Sequence, residues 1–203
     1  MKKKIIITLL LIIPFISIFL VVIFRGILSP SNEDIIRDLK NIKCYETKVE
    51  YIVKNSKGEE RESTVQYYSK EEGVRVEFDD DKVKLYKSDG IHVRDNSSTG
   101  EYVIESDMDI LHSMAFMNKI LSYPLKSDSI KEGQEEWGDK IYIQVDTELF
   151  LDNEHFDSAR IFINKKTKTP IVIVIYDKDG KDSVRIIYED FKIVKEVDEN
   201  LFN

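Results

Sequence analysis

The chain has 203 residues, with 30 Lys+Arg against 38 Asp+Glu and a formal charge of −8. Its first 28 residues hold four of the bases and no acid, so residues 29–203 carry 26 bases against 38 acids, a net −12. An acidic domain of this size repels phosphate backbones and anionic lipid headgroups, which argues against nucleic acid as a partner and leaves basic proteins open.

About 175 residues after the first segment suit one domain with a sizeable core. The lone cysteine, Cys44, leaves that domain without an internal disulfide, so packing must hold it together. Cys44 itself reads most simply as a small buried hydrophobe. Ten Tyr and ten Phe favour strands. The frequent Lys, Ile, Asn, Asp and Glu match the usage of low-GC Gram-positive bacteria.

At the N-terminus, Lys2-Lys3-Lys4 precede an almost unbroken apolar run from Ile5 to Phe24, followed by Arg25. Twenty helical residues at about 1.5 Å each span about 30 Å, the thickness of a bilayer's hydrocarbon core. No small-x-small cleavage site follows the run, so an uncleaved transmembrane signal-anchor is expected over 1–28, with cleavage near Ser29 as the alternative. The lysines favour a cytoplasmic N-terminus, which puts residues 29–203 outside a cell or forespore membrane.

Beyond the spacer Ser29–Asn32, Ser31 with Asp34 forms a capping pattern, and Ile35, Ile36, Leu39 and Ile42 recur at helical spacing. A helix is expected over about 32–43. From Tyr45 the period becomes two, and Asn55-Ser56-Lys57-Gly58 turns the chain into a partner strand at Ser63–Tyr68. Short strands follow at Val74–Phe78, Lys82–Tyr86, Ile91–Arg94 and Tyr102–Ile104. One helix, capped by Asp107 or Asp109 and ended by Tyr123-Pro124, interrupts them. Strands resume at Lys140–Val145, Ala159–Ile163, Ile171–Tyr176 and Val184–Tyr188, before a tail with Phe191, Ile193, Val197, Leu201 and Phe202. Two helical elements within a long antiparallel meander indicate an α+β domain.

No stretch of the sequence carries a catalytic signature. Asp177-Lys178-Asp179-Gly180 lacks the glycine and glutamate positions of a calcium loop and lies between two strands, where Asp-Gly makes a hairpin turn. Asp79-Asp80-Asp81 reads the same way. His92, His112 and His155 have no metal-ligand spacing, and His112 is expected at the edge of the central helix. Glu135-Glu136-Trp137 reads as a packing anchor, and Asn96-Ser97-Ser98 as a sequon without weight. No metal or cofactor is expected. The central helix supplies the candidate contact surface: Met108, Leu111, Met114, Phe116 and Met117 are adaptable apolar side chains suited to an acyl chain or a partner's hydrophobic residues. Their other reading is core contact between a helix and a curved sheet.

The order of elements resembles a known superfamily. The residues that carry the likeness are Tyr45–Tyr51, Asn55-Ser56-Lys57-Gly58, Ile120–Pro124, Thr169-Pro170-Ile171, Asp177–Gly180, Ile187–Phe191 and Val197–Phe202. Over nearly all of 31–203 the chain is similar to the LolA/RseB-type half-barrels, and more narrowly to the clostridial GerS-like germination lipoproteins. That resemblance implies a curved antiparallel half-barrel with both helices on its concave side. It also implies a non-catalytic binding module serving an envelope or spore-cortex protein such as a peptidoglycan amidase, with an acyl chain or lipoprotein as the alternative ligand. No functional residue is carried over. The chain departs from the lipoproteins in having no cysteine directly after its apolar run, so Ile5–Phe24 would replace the lipid anchor.

Overall fold

The computed structural model describes residues 15–17, 19, 30–79, 82–95, 100–134 and 141–203, the side chains of 126 and 127 excepted. The expected anchor Ile5–Phe24 therefore lies outside the described residues except for Phe15–Ser17 and Phe19, which are helical and exposed. Asp80, Asp81, the sequon and Glu135-Glu136-Trp137 also fall outside. Among the described residues no helix is long and apolar enough to cross a membrane.

Helix α1 (Asn32–Lys40) opens with the expected capping box: Ser31 Oγ accepts the Asp34 N–H and Asp34 accepts the Ser31 N–H, each at 3.1 Å. Ile35, Ile36 and Leu39 form its buried stripe. Eleven strands follow: β1 (Cys44–Asn55), β2 (Gly58–Ser69), β3 (Gly73–Phe78), β4 (Lys82–Lys87), β5 (Gly90–Asp95), β6 (Glu101–Ile104), β7 (Leu125–Gln134), β8 (Ile141–Glu148), β9 (Ser158–Asn164), β10 (Thr169–Tyr176) and β11 (Asp182–Ile193). They form one open, curved antiparallel sheet in the order β6-β5-β4-β3-β2-β1-β11-β10-β9-β8-β7.

Two meanders thus meet at β1 and β11, where Tyr45 opposes Ile193 and Val53 opposes Val184. The first runs outward to one edge, β6, and the second starts at the opposite edge, β7. The connection between β6 and β7 must therefore cross a face of the sheet. Eleven strands at about 4.8 Å spacing would set the edges about 48 Å apart if flat. A 20-residue connection that is partly helical barely reaches that far, so curvature and a face-crossing insertion go together.

The insertion differs from the single helix expected. It forms two short helices, α2 (Ile110–Ser113) and α3 (Met117–Ile120), separated at Phe116, whose backbone is extended at φ −83° and ψ 115°. The reason is burial all round: His112 through Met117 are six consecutive buried residues, and one surface helix buries only a stripe. Tyrosines of the sheet bond the broken stretch, Tyr51 Oη donating to the His112 carbonyl (3.3 Å) and Tyr188 Oη to the Ala115 carbonyl (2.8 Å).

β7 escaped the sequence reading because Leu-Lys-Ser-Asp-Ser-Ile-Lys-Glu-Gly-Gln shows little apolar alternation, as an edge strand with one wet side can afford. The expected turn at Asp177–Gly180 is present, with Asp177 Oδ1 accepting the N–H groups of Asp179 and Lys181 and Gly180 at φ +75°. Gly73, at φ +106°, lets the β2–β3 turn pass the Tyr86 carbonyl, where any Cβ would collide.

The main core lies on the inner face, between the sheet and α1 with the insertion. A second, smaller core lies on the outer face, where Val197 and Phe202 of the tail cover Leu85. A short 3-10 helix (Glu199–Phe202) ends the chain there, tied by Arg75 to the Leu201 carbonyl (2.7 Å) and by Arg94 to the Asn203 carbonyl oxygen (2.6 Å). Cys44 is half-buried at the margin of this second core.

Candidate functional site

On β4, alternation sends Lys84 and Tyr86 to the inner face, and β2, where Glu62 pairs with Tyr51, brings Glu62 toward the same place. The insertion supplies Asp109, the N-cap of α2, and His112 three residues on. Asp109 Oδ2 accepts from Lys84 Nζ (2.5 Å) and Tyr86 Oη (2.6 Å), while its Oδ1 lies 2.7 Å from His112 Nδ1. The far ring nitrogen, His112 Nε2, lies 2.7 Å from Glu62 Oε2. Both ring nitrogens thus face carboxylate oxygens. Tyr51 and Phe78 pack edge-on against the same ring at 5.0 Å.

Burial pushes the Asp109 carboxyl upward, but the His112, Lys84 and Tyr86 contacts outweigh it and hold the group well below the usual carboxylate range. The Tyr86 hydroxyl moves the other way, raised by burial and by the Asp109 charge. This knot pins the insertion to β2 and β4.

The neighbouring Ser113 hydroxyl donates to the Ile110 carbonyl (2.8 Å) and accepts from Lys119 Nζ (2.7 Å), an amine whose pKa burial lowers. Ser113 is itself buried, so this pair presents no open nucleophile. Among the described residues no group of His, Cys, Asp and Glu is placed to hold a metal ion.

The five apolar residues singled out from the sequence part company. Met114, Phe116 and Met117 are core, packed with Ile120 and Leu121 against the strands. Met108 is 72% exposed just after β6. Leu111 is half-buried and lines a groove of about 570 Å³ with Val53, Phe156 and Val184, at whose margin stand Lys54 and His155. Next to this groove the loop after β8 closes with the Leu149 N–H on the Asp157 carbonyl (3.0 Å). It holds Phe150 at φ +49°, 70% exposed, a conformation and a position that a bulky apolar residue seldom combines. Sequence reasoning missed Glu62, Lys84 and Tyr86 as partners of the insertion, and Phe156 and Val184 as groove walls. The one local signal was the spacing of Asp109 and His112, a cap and its first turn.

On the buried face of β2 the Gln66 amide has no hydrogen-bond partner among the described residues.

Several solved structures share this architecture. An uncharacterized conserved protein from Thermus thermophilus superposes with a TM-score of 0.55 at 12% identity, covering 86% of this chain and 94% of that one. A LolA superfamily protein from Nitrosomonas europaea gives 0.49 at 11% identity, with coverages of 86% and 98%. The structure of the CwlD amidase from Clostridioides difficile in complex with the GerS lipoprotein gives 0.48 at 19% identity, with coverages of 80% and 96%. LolA-type and GerS structures are thus among those similar to this chain, as its sequence resemblance leads one to expect. No curated protein matches the sequence significantly. The profile of the family described as sporulation protein YdcC-like matches residues 2–202, and the chain belongs to that family.

Proposed function

We propose that this protein is a non-catalytic docking module, anchored by Ile5–Phe24 with residues 29–203 outside the cell or forespore membrane, that holds a protein of the envelope or spore cortex. One observation carries the reading. The inner face, where a half-barrel carrier would need open apolar volume, is occupied by the chain's own Met114, Ala115, Phe116, Met117, Ile120 and Leu121, all buried, apart from the groove beside Leu111. The knot at Asp109 and His112 fastens that plug to the sheet. What is left for recognition is the surface, where Met108 and Phe150 stand exposed. Membership of a sporulation family supports a role in spore formation or germination. The sequence resemblance to GerS-like proteins suggests the class of partner, a peptidoglycan amidase.

The groove beside Leu111 and Phe156 favours a second reading, in which an acyl chain lies on the module without being shuttled. Full-length protein, tagged and cross-linked in sporulating cells before purification in mild detergent, separates the two. Docking predicts a discrete adduct with one envelope protein and lipid at the background level of the detergent. A stoichiometric acyl lipid found by mass spectrometry, with no protein adduct, contradicts it.

A further inference from the structure

The two edges of the sheet are built differently. β7 carries a register break between Leu125 and Ile130, Asp128 at φ +57°, and the exposed Lys131. Bulges and lysines are the devices that keep an edge strand from pairing with another chain. β6 has none of them. It pairs regularly with β5 from Ile91↔Ile104 to Arg94↔Glu101, and contains no lysine, proline or bulge. On its other side β6 has no neighbour among the described residues.

Alternation puts Tyr102 toward the inner face and Val103 toward the outer, and each is 54% exposed. From Glu101 to Asp109 the chain has four carboxylates and no Lys or Arg. Glu101 is paired with Arg94 (3.1 Å) and Asp109 with Lys84 (2.5 Å). Glu105 and Asp107 are exposed and have no ion-pair partner among the described residues.

We propose that β6 accepts an extended, basic segment of the partner as a twelfth strand. The backbone of β6 supplies the pairing, Tyr102 meets an apolar side chain on the inner face and Val103 its neighbour on the outer, and Glu105 and Asp107 meet lysines or arginines. The brevity of β6 restricts the pairing to about four residues on each strand. A second copy of this chain is a poor occupant, because two β6 strands side by side would bring their Glu101, Glu105 and Asp107 carboxylates together. The proposal rests on the docking reading and names where and by what chemistry the partner binds.

The test uses full-length protein in neutral detergent micelles and two labelled peptides. One has three central valines flanked by two lysines on each side; the other has the same charge with proline in place of the middle valine, which cannot continue a strand. Fluorescence anisotropy should show the first binding at least tenfold more tightly. Hydrogen exchange should show the amides of Glu101–Ile104 protected when it is bound. The double variant Glu105→Lys/Asp107→Lys should lose tenfold or more in affinity with its melting temperature unchanged.

Equal binding of both peptides, absence of protection at 101–104, or full affinity in the charge-reversed variant overturns the proposal. Protection at 101–104 that grows with protein concentration alone assigns the edge to a second copy and also overturns it. A cellular protein adduct confined to the Phe150 side would sink the β6 proposal and leave docking standing. A chain that binds the peptide at β6 but takes only lipid in cells would sink the docking reading instead.

Discussion

Asp109→Ala is the sharpest perturbation of the inner face. It removes the acceptor shared by Lys84 Nζ, Tyr86 Oη and His112 Nδ1, and the cap on the His112 N–H at 3.3 Å. The Lys84 side chain is only 15% exposed, so its ammonium would stay in the interior beside His112, 3.5 Å away, with no carboxylate in contact. Removing one partner of a buried pair costs about 3–5 kcal/mol, and a lost N-cap about 1 kcal/mol. Glu62, whose side chain is partly open to water, gives solvent a route to the knot, which brings the expected loss to about 3 kcal/mol, the low end of that range. In a domain of this size each kcal/mol moves the melting temperature by about 2–4 °C, so the midpoint should fall by about 6–12 °C. Urea and thermal unfolding of residues 30–203, followed by circular dichroism, give both numbers. The double variant Lys84→Met/Asp109→Leu should recover much of the loss, since well-packed apolar groups replace buried pairs at little cost. A loss below about 0.5 kcal/mol for Asp109→Ala, the size usual at a surface position, would refute the knot as the fastening of the insertion.

Acid titration offers a second view of the same carboxylate. Its folded pKa is depressed by the His112, Lys84 and Tyr86 contacts despite burial. Its contribution is therefore present above the unfolded value of about 4 and is lost as pH falls through the folded value. Below pH of about 4 the wild type should lose stability more steeply than Asp109→Asn, and parallel urea midpoints at pH 4 and 3 would contradict this. Met117→Ala should cost about 2–5 kcal/mol as a core truncation, whereas Met108→Ala should cost less than about 0.5 kcal/mol; equal losses in chemical denaturation would contradict their opposite placements. Ser31→Ala should cost about 1 kcal/mol by removing the cap of α1, read from the same denaturation curves.

The first half of the domain was largely legible in the sequence because its signals are local. Ser31 and Asp34 cap α1 within one turn, and the Asn55–Gly58 turn joins strands that pair from Cys44↔Ser69 to Asn55↔Gly58. The insertion was legible only in part. Its apolar residues are spaced as for one helix, yet the sheet's Tyr51 and Tyr188 take carbonyls at His112 and Ala115 and hold the stretch in two pieces. No local pattern announces a partner 61 or 73 residues away. The knot was hidden for the same reason, since Glu62, Lys84 and Asp109 come from three separate elements. β7 was hidden by its polarity, which is what its edge position demands. The apolar richness of 108–117 drew the sequence reading to this segment, but could not sort it into the plug (Met114, Phe116, Met117) and the surface (Met108).

The central claim is that the module meets a protein on its surface while its own insertion occupies the concave side, apart from the groove beside Leu111. Photo-cross-linking of the full-length protein in sporulating cells tests this directly, with the reactive side chain placed in turn at positions 102, 111 and 150. The account predicts a protein adduct of a single defined mass at one or both of positions 102 and 150. Adducts of lipid mass alone, concentrated at position 111, would contradict it and make the groove beside Phe156 the working site.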